Sequence, residues 1–158
     1  MKSNLIIAFL AILITGCAST NAVKNTEKSI NGNWSLSSIT YDGNGSFNST
    51  LFQDSDASCF MDSSWYFISN NNRGTYKLND TCSTIQRKFI WTIPGDKSAT
   101  AGELLLKITD EDYKSASNDG YKLKITSLTE YTMTLTIETF VDGQKVDVNL
   151  NFNKSILV

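Results

Sequence analysis

The strongest constraint on the fold of this chain is the alternation of apolar and polar residues near its C-terminal end. Met133, Leu135 and Ile137 alternate with Thr132, Thr134, Thr136 and Glu138, and Val146, Val148, Leu150 and Phe152 alternate with Lys145, Asp147, Asn149 and Asn151. A period of two is that of a strand with one buried face. Asp142-Gly143 separates the two runs and is a favoured pair for a two-residue type I′ turn, whose central residues both take positive φ. With those residues as the loop, Ile137 faces Val148, Leu135 faces Leu150 and Met133 faces Phe152. Every inward pair is apolar on both sides. A one-residue slip would turn apolar side chains outward, so the register is well specified.

The same face continues upstream. Tyr121, Leu123 and Ile125 alternate with Lys122, Lys124 and Thr126, and a short loop at Leu128-Thr129-Glu130 sets Ile125 opposite Met133 and Leu123 opposite Leu135. Residues 61–68 and 74–79 read as a hairpin around Asn70-Asn71, since Asn tolerates positive φ. That centre places Trp65 opposite Tyr76, Ser64 opposite Lys77 and Cys59 opposite Cys82; a neighbouring register shifts these by a residue or two. Segments 33–41, 87–93 and 103–109 supply three more strands. Eight strands in sequence order predict an all-β fold, an eight-stranded up-and-down antiparallel β-barrel over residues 30–158. No helical stripe of useful length is visible after residue 16. Loops 42–58, 80–86 and 110–119 are long and fall on one rim, joined there by the short Asp142-Gly143 turn. That rim has the adaptable backbone of a binding mouth.

Composition narrows the chemistry. There is no histidine in the 158 residues, which removes the usual general base, the usual zinc ligand and every His-containing triad. No Ser-x-x-Lys pattern and no phosphate-cradling glycine loop appear. The expectation is a protein without enzymatic activity, cofactor or metal. The 14 basic side chains against 16 acidic ones form no basic run, so nucleic acid is not an expected partner.

The N-terminus has its own pattern. Lys2 precedes an uncharged apolar run from Leu5 to Ile14, too short to span a bilayer and of the length of a secretory signal. Ile14-Thr15-Gly16-Cys17 then resembles the lipobox of bacterial lipoproteins. The resemblance implies a signal peptide over residues 1–16, cleavage before Cys17, and lipid on the Cys17 thiol and amine, palmitate among the acyl chains. Several acyl chains anchor firmly where one does not. Ala18 and Ser19 follow in place of the Asp that retains lipoproteins at the inner membrane, and no acidic run follows, which implies the periplasmic face of the outer membrane. Residues 17–29 are small and polar and read as a lipidated flexible tether. In an oxidising compartment the two remaining cysteines, Cys59 and Cys82, are expected to form a disulfide.

At Gly32-Asn33-Trp34 the sequence resembles the Gly-x-Trp motif that opens the first strand of lipocalins, and most closely the lipocalin-like domain lipoproteins of Gram-negative bacteria. The resemblance spans about residues 30–154 and implies that Gly32 and Trp34 close one end of the barrel while a long first loop covers the other. Lipocalins place an Arg over that Trp; here the counterpart is Lys154, a poorer stacking partner. They also carry a helix after the last strand, and no counterpart is visible up to Val158.

The expected inward-facing residues are Trp65, Phe67, Tyr76, Phe89 and Trp91, with Leu123, Ile125 and Val148 across the barrel. They either line a cup for a small lipophilic ligand or simply fill an eight-stranded interior that is only just wide enough for side chains. Tyr66 and Ile68 have the opposite parity and are expected outside. Asp54-Ser55-Asp56-Ala57-Ser58 spaces oxygens like the opening of a calcium loop but lacks its later Gly and Glu, so it reads as a solvated loop. The expected function is non-covalent binding or carriage of a small apolar ligand. The alternative is an interaction or enzyme-inhibitor barrel that meets a protein partner through rim loop 42–58, with Phe47, Leu51 and Phe52 in a polar setting.

Overall fold

The computed structural model describes residues 15–42, 49–95, 102–115 and 120–155. Helix α1 (Thr15–Ile30) leads into β1 (Gly32–Asp42). A small hairpin, β2 (Thr50–Leu51) and β3 (Ser55–Asp56), and one helical turn, α2 (Ala57–Phe60), follow. Then come β4 (Ser64–Ile68), β5 (Arg73–Lys77), β6 (Gln86–Thr92), β7 (Glu103–Thr109), β8 (Tyr121–Leu128), β9 (Thr132–Val141) and β10 (Gln144–Lys154). Eight of these strands close into an antiparallel barrel in the order β1-β10-β9-β8-β7-β6-β5-β4, so the barrel has no free edge.

The expected fold is therefore the observed one, and much of its register is too. Strands β9 and β10 pair Ile137 with Val148, Leu135 with Leu150 and Met133 with Phe152. Asp142 and Gly143 both have positive φ, 51° and 77°, as a type I′ turn requires. Strands β4 and β5 pair Trp65 with Tyr76 and Ser64 with Lys77. Their connection is wider than a two-residue turn, since Ile68 pairs with Arg73. The positive φ falls on Asn72 rather than on Asn70 or Asn71.

Two expectations are corrected. In β8 and β9, Ile125 pairs with Leu135 rather than Met133, and Leu128 pairs with Met133. The turn is tighter than expected because Thr129 closes it: Thr132 N–H donates to the Thr129 hydroxyl at 2.9 Å and Thr129 N–H to the Thr132 carbonyl at 2.8 Å. A bulge at Thr126 then absorbs one residue. The pairing of Ile125 moves by two residues, so apolar residues still share a face.

The second correction concerns the expected tether. Residues 17–29 lie within α1. Val23, Thr26, Glu27 and Ile30 are its less exposed positions and recur at helical spacing. Ile30 is fully buried under the barrel, and Asn72 donates to Glu27 Oε1 at 2.9 Å. Helix α1 is thus held by tertiary contacts, which override its polar composition. Among the described residues no helix is long and apolar enough to cross a membrane.

At this end Trp34 is fully buried and its indole N–H donates to the Ile30 carbonyl at 2.7 Å. The Lys154 ammonium lies 5.0 Å from the Trp34 ring centroid, within cation–π range, and beside the C-terminal carbonyls of α1. Gly32 has φ +120° with Lys154 close by, a conformation open to glycine and strained for other residues. Gly32 and Trp34 thus lie together with Lys154 at the α1 end of the barrel. The opposite end is the mouth, bordered by the β1–β4, β5–β6, β7–β8 and β9–β10 connections.

Candidate binding site at the mouth of the barrel

The strand parity that aims side chains inward places Trp65 and Phe67 of β4, Tyr76 of β5, and Phe89 and Trp91 of β6 inside the barrel, all buried. Their rings touch in series. Trp65 stacks on Tyr76 with centroids 4.5 Å apart, Trp65 meets Phe89 at 5.5 Å, Phe89 meets Phe67 at 5.1 Å, and Phe67 meets Trp91 at 5.6 Å. Aromatic pairs at such separations add to the energy of burial. Leu123 and Val148 face them from across the core, and Ile125 packs at its margin, half-buried. Trp91 has its indole N–H on the Arg73 carbonyl at 2.9 Å. Tyr66 is exposed on the outside. The lower interior is thus occupied by its own rings. Of the described concavities, one of about 570 Å³ is bordered by Asn71, Ile90 and Leu105 and reaches Trp91 and Leu106 at the edge of this core, and one of about 540 Å³ lies between α1 and the β8–β9 turn.

The first loop changes this picture at the mouth. Leu51 and Phe52 are buried, 4% and 6% exposed, so they are not an exposed rim element as expected. Phe47 lies outside the described residues. The chain turns inward because Phe52 and Gln53 both adopt positive φ, 54° and 51°, in the connection between β2 and β3. The Phe52 ring then sits in the mouth against Tyr121 at 5.1 Å, Phe60 at 5.6 Å and Trp65 at 5.8 Å. Residues 49–56 are in effect a lid with an aromatic plug.

Next to the plug, the lid carries a carboxylate. Tyr76 O–H donates to Asp54 Oδ2 at 2.7 Å, and Arg87 Nε–H donates to the same oxygen at 2.6 Å. Asp54 and Arg87 side chains are each 20% exposed, so the pair is largely withdrawn from water. The Tyr76 hydroxyl is pushed well above the ordinary tyrosine range, first by burial and then by the Asp54 carboxylate it donates to. Sequence reasoning read Asp54 as solvated and missed Arg87. The available signal was the inward parity of Tyr76, whose buried hydroxyl needs a partner.

A disulfide fixes the lid's far end. Cys59 in α2 is bonded to Cys82 in the β5–β6 connection, with Cα atoms 5.6 Å apart. The expected pairing holds, although neither residue is in a strand; Asn79 N–H donates to the Cys59 carbonyl at 3.1 Å and continues the hairpin contact beyond β5. Ser63 and Trp65 add a buried polar contact below, indole N–H to hydroxyl at 2.9 Å.

The model of the lipocalin-like domain matches residues 30–141. This chain belongs to the lipocalin-like domain family. The matched span ends one strand short of closure, and β10 supplies the remainder by pairing with both β9 and β1. No curated protein and no solved structure matches the chain. Among the described residues no group of three or more His, Cys, Asp or Glu side chains is arranged to hold a metal ion. Asp54, at the calcium-like segment, is instead committed to Tyr76 and Arg87. A lipocalin-like barrel is a scaffold suited to ligand binding, and here the convergent aromatic and polar groups lie under the lid.

Proposed function

We propose that this lipocalin-like protein is lipid-anchored through Cys17 at the periplasmic face of the outer membrane. There it binds a small apolar ligand non-covalently in the mouth of the barrel, making and breaking no bonds. Phe52 carries the reading. A phenyl ring borne on a short hairpin occupies the mouth and is walled by Phe60, Trp65 and Tyr121. Lifting residues 49–56 removes Leu51 and Phe52 and leaves an aromatic cup, the kind of surface that takes an apolar molecule. The lower ring layer forms its floor. The disulfide keeps α2 in place while the hairpin moves.

Binding of an environment-sensitive apolar dye to the purified Cys17→Ser chain tests the cup. Saturable binding is expected, strengthened by Phe52→Ala and weakened by Trp65→Ala. A dye ignored by both the Cys17→Ser chain and its Phe52→Ala variant refutes the binding role. Anchoring is tested by fractionating cells. Cys17→Ser should move the protein from the outer-membrane to the soluble fraction, and full retention in the membrane refutes lipidation at that residue.

A further inference from the structure

The lid does more than insert a ring: it also brings a carboxylate to a fixed pair of donors. The Arg87 guanidinium is set by the β5–β6 connection, its Nη1 donating to the Ile85 carbonyl at 3.0 Å and to the Ser83 hydroxyl at 3.2 Å. That leaves Nε–H aimed at Asp54. Tyr76 is held by its stack on Trp65, so its hydroxyl is fixed as well. Both donors converge on one oxygen, Asp54 Oδ2, at 2.6 and 2.7 Å. They belong to the barrel wall, whereas the acceptor belongs to the lid.

When the lid lifts, this arrangement is left without its acceptor. Arginine stays charged at any accessible pH. Once a bound molecule covers them again, the guanidinium and the hydroxyl are unfavourable unless that molecule supplies an acceptor. A neutral apolar molecule in the cup would leave both donors unmatched. A molecule with an acid group at one end would match them, with its tail running past Trp65 into the space Phe52 vacates.

We infer that Arg87 and the Tyr76 hydroxyl form an anion seat at the rim, filled in the closed form by the lid's own Asp54, and that the ligand is an amphipathic carboxylate that replaces it. The inference rests on the apolar-ligand reading and adds the head group to it. Lid and ligand compete for one seat: Phe52 and Asp54 together imitate a tail and its carboxylate.

Three probes of equal chain length separate the two levels. Dodecanoate, dodecanol and methyl dodecanoate are titrated into the Cys17→Ser chain in competition with the apolar dye. Dodecanoate should bind about 10- to 100-fold more tightly than either neutral probe, the range for hydrogen bonds to a charged group. Arg87→Met should reduce dodecanoate to the affinity of dodecanol and leave dodecanol no weaker. Asp54→Asn should tighten dodecanoate by weakening the lid's claim on the seat. Equal affinities for all three probes on the unaltered seat overturn the head-group inference and leave the apolar cup standing. Failure of all three probes and the dye to bind overturns both. The comparison among probes needs no seat variant, so misfolding of Arg87→Met would not blur it.

Discussion

Gly74 offers a sharp test of the packing beneath the mouth. It lies on the inward face of β5, opposite Phe67 on one side and Phe89 on the other. A Cβ built on Gly74 would fall 2.1 Å from Phe89 Cζ, 2.4 Å from its Cε2 and 2.7 Å from the Tyr66 carbonyl oxygen. The Phe89 ring therefore lies across the glycine, and it is fully buried against Phe67 and Trp65. It cannot swing away, and the carbonyl belongs to the backbone of β4. Elsewhere a Gly→Ala change at compatible φ and ψ stabilises by about 0.4–1 kcal/mol through the unfolded chain. Here overpacking should dominate, and Gly74→Ala should destabilise by about 1–3 kcal/mol. In urea unfolding of the Cys17→Ser chain, followed by tryptophan fluorescence and circular dichroism, the midpoint should fall with m unchanged. Phe89→Leu should relieve part of the clash, so the double variant loses less than the two singles combined. A neutral or stabilising Gly74→Ala, or strict additivity with Phe89→Leu, refutes the reasoning.

Three further outcomes are expected. Replacing both Cys59 and Cys82 by Ser should cost about 3 kcal/mol, from loop closure over a sequence separation of 23. An unchanged urea midpoint after full reduction would contradict that. Trp34→Phe keeps much of the packing but orphans the Ile30 carbonyl, and should cost about 1–3 kcal/mol; thermal unfolding indistinguishable from the unsubstituted chain would remove Trp34's role as a closure. The Lys124 and Lys145 ammonium groups hold the Glu138 carboxyl well below its ordinary 4.5, down to about 2. The folded value is depressed, so the stabilisation is complete above the unfolded value and is lost as pH falls through about 2. A carboxyl NMR titration with its midpoint in the ordinary glutamate range would show that the lysines do not act on it.

The strands were legible because their determinants are local. A period of two, an Asp-Gly pair with two positive φ angles, and apolar residues on both sides of each inward pair leave β9 and β10 one register. The β8–β9 error has a local cause of another kind: Thr129 side-chain bonds shorten the turn and Thr126 bulges, neither of which the alternation reveals. Helix α1 was illegible for the opposite reason. Its polar residues look like a tether, and its order comes from Ile30 under the barrel, the Trp34 indole and the Glu27–Asn72 contact, all of them tertiary. Pairing between β5 and β6, which sets Tyr76 opposite Arg87, likewise depends on a connection that no short turn motif determines.

The lid shows why the choice between a lined cup and a filled interior could not be made from alternation. Parity says which side chains point inward and nothing about what enters from a loop. Leu51 and Phe52 are apolar in a polar stretch, which from sequence suits a rim element meeting a partner as well as a plug. The positive φ at Phe52 and Gln53 decides for the plug, and neither residue type announces it. On the proposed reading, Asp54 is what separates a removable plug from ordinary core. Leu51 and Phe52 could complete a permanent core with no charge beside them. A carboxylate withdrawn from water is unfavourable without partners, and its partners here are a cation and a hydroxyl on the opposite wall. If the lid were permanent core, replacing Asp54, Tyr76 and Arg87 together by apolar residues of similar volume should be neutral or stabilising, with probe binding still absent. If the trio is an exchangeable seat, the same triple substitution must abolish the preference for dodecanoate over dodecanol, whatever it does to stability. Probe binding therefore distinguishes a binding mouth from a solid barrel, and the preference for an anionic head distinguishes the exchangeable seat; stability distinguishes neither.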